Sequence, residues 1–149
     1  MLKSRYADRP FDGEGAFRYG ARWNSPGTRL AYAAGDSALA VLEVLVHLEQ
    51  TAPLAAYTMI EASVPTSLVA TVPPAALPAD WATHPVPAST QIFGDRWTAA
   101  LTSMALRVPS SIVPGAWNIL LNPSHPRAGA LRIEAVEPFR FDPRLLSRR

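Results

Sequence analysis

Glu43 is the only Asp, Glu, Lys or Arg between Asp36 and Glu49, in a run dominated by Ala, Val and Leu, with His47 four residues on. A carboxylate in such a setting is costly to bury unpaired, or it is placed for chemistry. On a helix Glu43 and His47 project from one face. Two readings are open. They are a hydrogen-bonded pair at the edge of the core, or Glu43 lines a cleft. In a cleft, one carboxylate can stabilise positive charge developing at a sugar carbon or hold a ribose hydroxyl. Ordinary glycosidases use two carboxylates. No second acid accompanies Glu43 in sequence, although Glu61 or Asp95 could approach it in the fold.

Three further residues carry chemical potential. Arg22 stands just before the turn Asn24-Ser25-Pro26-Gly27. It is suited either to bidentate contact with a phosphate or, at the surface, to a stack on Trp23 or an ion pair with an acid. Tyr32 can stack on a planar ring or pack in a sheet with its hydroxyl satisfied. Ser110 follows Pro109 without a Gly-x-Ser-x-Gly setting, so it is no acyl-enzyme nucleophile. It positions a substrate or caps a turn. Asn118 and Asn122 flank a short apolar run and suit loop backbone. His47, His84 and His125 lack zinc-ligand spacing, so no metal site is expected. Neither a Walker loop nor a dinucleotide glycine fingerprint is present.

Residues 16–23 read as a strand, 24–27 as a turn and 30–33 as the return strand. Asp36 or Ser37 can cap a helix running to about residue 50, apolar on most faces and therefore expected to be largely buried. Residues 55–63 and 67–72 read as strands. The prolines from Pro73 to Pro87 make 73–89 a long surface loop. Ile92, Phe93, Trp97, Leu101 and Met104 recur at helical spacing, predicting a helix over 90–103. Short strands are expected at 105–108, 117–121, 131–136 and 139–141. The order predicts an α+β fold with a largely antiparallel, split sheet flanked by helices.

The chain has 149 residues, 48% of them hydrophobic and 17% charged, which suits one folded domain spanning 1–149. It has no cysteine, which excludes disulfides, thiolate metal sites and cysteine nucleophiles. All basic residues except Lys3 are arginines, scattered along the chain, and the net charge is only +2. Direct nucleic-acid binding is not expected from that distribution. No apolar run reaches transmembrane length, and the first residues lack a secretory apolar core, so a cytoplasmic location is expected.

Taken together, the motifs resemble the RES-domain toxins of Xre–RES toxin–antitoxin modules. The resemblance rests on Arg22 in Gly-x-Arg-Trp-Asn-x-Pro-Gly, Glu43 in Ala-x-x-Glu-x-x-x-His and Ser110 in Val-Pro-Ser. Tyr32, Gly94-Asp95-x-Trp97, Asn118, Asn122-Pro123-x-His125 and Phe141-Asp142-Pro143-Arg144 support it, over a motif-bearing core of about 13–144. Ala21 departs from the family's usual second glycine, and the proline-rich stretch after Val72 matches no motif. The resemblance implies a fold related to ADP-ribosyltransferases, with NAD as substrate and no prosthetic group. It implies cleavage between nicotinamide and ribose, with water, phosphate or a protein side chain as acceptor. It assigns Arg22 to the nicotinamide-side phosphate and Tyr32 to the nicotinamide ring. Glu43 takes the ribose hydroxyls and the transition state. Ser110 positions ribose or phosphate, and His47 and Asn118 support the pocket. It also implies an Xre-like helix-turn-helix antitoxin that blocks the site. The competing expectations are a toxin acting on RNA, which would need a basic groove and an acid–base pair, and a binding domain without catalysis.

Overall fold

The computed structural model describes residues 1–48 and 56–145. Two sheets organise the chain. A four-stranded sheet runs in the order β2 (Ala31–Ala34), β6 (Trp117–Leu121), β5 (Ala105–Pro109), β4 (Val69–Thr71). All its pairings are antiparallel except β4 with β5. A three-stranded antiparallel sheet runs β1 (Leu2–Lys3), β3 (Tyr57–Ser63), β7 (Arg132–Phe139). The helices are α1 (Glu14–Tyr19), α2 (Ser37–Leu45) and α3 (Ala88–Ala100). The fold is α+β with a split, mostly antiparallel sheet, as the sequence predicts.

The first expected strand is a correction. Residues 14–19 form α1, and β2 pairs with β6 instead of with a neighbouring hairpin partner. Gly13 and Gly20, at φ 69° and 68°, punctuate the two ends of this helix. Both positions are also too tight for a side chain. A Cβ on Gly13 would lie 2.9 Å from Leu30 N, and one on Gly20 2.9 Å from Pro26 Cδ. Asp12 Oδ1 accepts from Glu14 N, and Glu14 bridges Arg18 one turn on at 2.7 Å. Hydrogen bonds from Arg18 and Arg29 hold the Glu14 carboxyl below its ordinary pKa. The alternation of Phe17 with Tyr19 imitates a strand, but both rings are exposed and carry no sheet face.

A second correction concerns α2. Asp36 caps it by accepting from Leu39 N at 2.8 Å. It ends at Leu45, and residues 49 and 50 of the expected helix lie outside the described residues. It is not largely buried. Only Leu39 and Leu45 are enclosed, while Leu42 and Val46 are 40% and 52% exposed. One stripe meets the body of the protein and the rest faces out. The strand expected at 131–136 is β7, which runs on to Phe139 at the edge of its sheet, where a proline such as Pro138 is tolerated; residues 140 and 141 of the strand expected at 139–141 are not in a strand.

Trp23, Leu30, Val72, Trp97, Leu106, Val108 and Leu120 form the main core on one face of the four-stranded sheet. Ala31, Met104, Ala105 and Leu121 form a second core on the other. Helix α3 closes the first core from outside. It starts two residues before the predicted position, after Pro87, and stops at Leu101 with φ 52°. Its Gly94 touches the backbone of Trp23 so closely that a Cβ there would lie 1.8 Å from the Trp23 carbonyl oxygen. That contact seats the turn that carries Arg22.

Residues 73–87 do form a long connection, with one 3-10 turn at Pro74–Ala76. The connection is braced. The Asp80 carbonyl accepts from both Thr83 N and Thr83 Oγ1 at 2.9 Å. Asp80 Oδ1 accepts from Ser89 Oγ at 2.5 Å, and Leu77 and Trp81 pack on the main core.

Candidate active site

A cavity of about 680 Å³ opens between residues 32–34 of β2, the 20–23 segment, one stripe of α2, the start of the loop after β5 and the 82–86 segment. That volume falls in the roughly 300–1,000 Å³ range of small-molecule sites. Glu43, Arg22, Tyr32, His47 and Asn118 all line it. Residues that the sequence spreads over nearly a hundred positions are thus one wall-to-wall set.

Glu43 is the only acid among the described residues of the lining, and it is half-buried. Its Oε1 accepts from Asn118 Nδ2 at 2.6 Å and from Ser110 Oγ at 3.3 Å. No described residue engages Oε2. One oxygen is therefore fixed by the protein and the other is free for a ligand. Neither Glu61 nor Asp95 joins the lining. Asp95 instead accepts from Ser25 N at 3.0 Å and holds the Pro-Gly turn against α3.

Ser110 differs from its expected place. It is 5% exposed and does not line the cavity. Its hydroxyl accepts from the amides of Ile112 and Val113 at 3.1 and 3.2 Å and donates to Glu43. It caps a turn and orients the carboxylate instead of reaching a substrate. The exposed neighbour Ser111 is the serine on the cavity surface. His47 also differs from the paired reading. Its Nδ1 meets the backbone carbonyl of Glu43 at 2.7 Å, not the carboxylate. A carbonyl can only accept, so that nitrogen carries the hydrogen. The bond closes the last turn of α2.

The Tyr32 hydroxyl donates to Asn24 Oδ1 at 2.8 Å and accepts from Trp23 N at 3.0 Å. Its burial keeps the phenol protonated well above the ordinary tyrosine range. The residue is nevertheless 38% exposed, so the ring, not the hydroxyl, is what the cavity sees. Asn24 is fully enclosed, with Nδ2 within 3.0 Å of the Ala16, Ser25 and Thr28 carbonyls. It locks α1, the turn and Tyr32 into one unit.

Arg22 Nη1 donates to the carbonyls of Trp81 at 2.7 Å and Thr83 at 3.0 Å. Its Nε and Nη2 have no partner among the described residues. The sequence does not reveal this contact, nor the Gln91 side chain that donates to Ala21 O at 3.1 Å. The proline punctuation of 73–87 was the available signal, since a long braced loop is where binding residues gather. Among the described residues no cluster of His, Asp or Glu could hold a metal ion. None of their helices is long and apolar enough to cross a membrane.

The arrangement is a guanidinium with two free donors, an aromatic face and a single oriented carboxylate around one cavity. A RES domain model matches residues 2–142 of the chain. The chain belongs to the RES-domain family. Its RES domain is 36% identical over 147 residues to "Toxin Res" of Yersinia enterocolitica, covering 97% of this chain and 96% of that protein. It is 38% identical over 138 residues to "Prs ADP-ribosylating toxin" of a Sphingobium species, covering 90% of this chain and 85% of that protein. Among solved structures, the crystal structure of the M. tuberculosis MbcT–MbcA toxin–antitoxin complex superposes with a TM-score of 0.69 at 22% identity. The match covers 90% of this chain and 78% of that one. At that identity the likeness speaks for the fold, which this RES domain shares.

Proposed function

We propose that this RES domain is a toxin that cleaves NAD between nicotinamide and ribose and transfers ADP-ribose to an acceptor. The observation that carries the reading is the Glu43 carboxylate, with Oε1 fixed by Asn118 and Ser110 and Oε2 open to a cavity shared with Arg22 and Tyr32. The naming of a 38%-identical relative as an ADP-ribosylating toxin supports it.

In the reaction the C–N bond at the ribose anomeric carbon breaks, and its electron pair leaves with nicotinamide, which departs neutral. Positive charge grows on the ribose. Glu43 Oε2 faces that charge, and a carboxylate already oriented pays no reorganisation as the charge develops. The nicotinamide ring lies against Tyr32. Arg22 holds the nicotinamide-side phosphate through Nε and Nη2. The acceptor forms the new bond to the anomeric carbon and releases its proton. Water, phosphate and a protein side chain are the acceptor classes, and the name of the ADP-ribosylating relative favours transfer over hydrolysis. The partner is an Xre-like antitoxin that covers the cavity.

The test is incubation of the purified protein with NAD, following free nicotinamide, then with labelled NAD and cell lysate, following label on protein. Nicotinamide release with labelled protein supports transfer. Release without label supports hydrolysis. No release from a folded protein overturns the reading.

A further inference from the structure

Arg22 spends half of its fork on the loop and not on an acid. Its Nη1 lies 2.7 Å from Trp81 O and 3.0 Å from Thr83 O. The next residue, His84, lines the same cavity as Arg22. Its backbone nitrogen is bonded to the Thr83 carbonyl carbon, so covalent geometry alone puts it within about 5 Å of the Arg22 guanidinium. The His84 side chain is exposed and has no hydrogen-bond partner among the described residues. The segment bearing it is held firmly. Thr83 is tied twice to Asp80 O, Asp80 to Ser89, and Trp81 to the main core. A loop built this way brings the Arg22 guanidinium and the residue that carries the His84 imidazole to the wall of one cavity.

We propose that the 81–84 segment completes an anion site for a substrate with two adjacent phosphates. The carbonyls of Trp81 and Thr83 orient Arg22 toward one phosphate, and His84 contacts the other. This rests on the NAD reading, in which Arg22 holds the nicotinamide-side phosphate, and it makes His84 the contact for the adenosine-side phosphate. An imidazole can donate from a ring nitrogen whether neutral or charged, so it serves a phosphate oxygen in either state. The position lies on the loop that is unlike the family's motifs. It would set how this chain distinguishes a dinucleotide from a mononucleotide.

The experiment is calorimetric titration of the purified protein with ADP-ribose, which carries two phosphates. A parallel titration uses nicotinamide mononucleotide, which carries one, in a Glu43→Gln background that prevents turnover. His84→Ala is expected to weaken ADP-ribose by about fivefold to tenfold, the scale of one exposed charge-assisted hydrogen bond. It should change nicotinamide mononucleotide by less than about twofold. His84→Arg should restore ADP-ribose binding. In turnover, His84→Ala should raise KM for NAD while kcat stays within about twofold, a split that a misfolded site would not give. Unchanged ADP-ribose affinity in His84→Ala, or an equal loss for both probes, overturns the assignment of His84 alone. A folded wild-type protein that binds neither probe overturns the NAD reading and this assignment with it.

Discussion

Asn118 reaches across 75 residues of sequence to give its side-chain amide to Glu43 Oε1 at 2.6 Å. The bond joins the middle strand β6 to the exposed helix α2. It turns a carboxylate on a half-solvated helix into one with a single defined orientation. Glu43→Gln in a folded protein should therefore lower kcat for nicotinamide release by about 10²-fold or more, as loss of transition-state charge does. Asn118→Ala keeps the charge and frees its rotation, so it should cost less, about tenfold, chiefly in kcat. Nicotinamide release with near-ultraviolet circular dichroism as the folding control checks both. Near wild-type turnover in Glu43→Gln would remove Glu43 from the chemistry.

Arg22→Lys is expected to behave as a loss, not a conservative change. One ammonium cannot bind the Trp81 and Thr83 carbonyls and still present a planar fork to a phosphate. NAD affinity by titration calorimetry should fall by about tenfold or more while kcat changes less. An unchanged Kd would make Arg22 a strut for the loop and nothing else.

Tyr32 predicts an alkaline loss of stability. Burial raises its folded pKa, while the unfolded phenol titrates near 10.0. Below that pH both states are protonated and the full contribution is present. Above it the unfolded state releases a proton that the folded state keeps, so stability falls as pH rises from about 10 toward the raised value. Tyr32→Phe should lose about 1–3 kcal/mol at neutral pH, because Asn24 Oδ1 and Trp23 N are left unpaired. It should also show a shallower decline above pH 10. Urea unfolding from pH 7 to 11 compares the two slopes, and equal slopes would mean that the Tyr32 hydroxyl is not enclosed.

Gly94→Ala should destabilise the protein by about 3 kcal/mol or more. Its Cβ would fall 1.8 Å from a backbone oxygen, and neither α3 nor the Trp23 turn can yield without losing the other's packing. A Tm drop of roughly 6–12 °C is expected in thermal denaturation. A drop under about 2 °C would show that the turn shifts freely, and Arg22 placement would then not depend on α3.

The antitoxin prediction follows from the two free nitrogens of Arg22. A carboxylate from the partner can take them while Nη1 stays on the loop. Expression of the toxin alone should slow growth, and co-expression of the neighbouring gene should restore it. The co-purified complex should release nicotinamide far more slowly than free toxin. A stable complex with undiminished NAD cleavage would rule out occlusion of the cavity.

Much of the site is legible from residue type. Glu43 stands out as a lone carboxylate in an apolar run, Arg22 by its rigid turn, and Asp36 as a helix cap, because each signal is local to a few residues. Most strands of the four-stranded sheet are legible too, since apolar runs such as Leu120–Leu121 in β6 and Ala105–Leu106 in β5 must be buried. Residues 14–19 are not. Their helix depends on Gly13 and Gly20 being pressed against Leu30 and Pro26, contacts with no local signature. The division of labour in the site was decided only by tertiary structure. Ser110 and His47 carry the right side chains to touch a ligand, but the turn at 110–113 and the end of α2 spend Ser110 Oγ and His47 Nδ1 within the protein. Arg22 is held by carbonyls 59 and 61 residues away. Backbone carbonyls are identical in every residue, so no sequence pattern can mark which of them will receive a guanidinium. Only the path of the loop can.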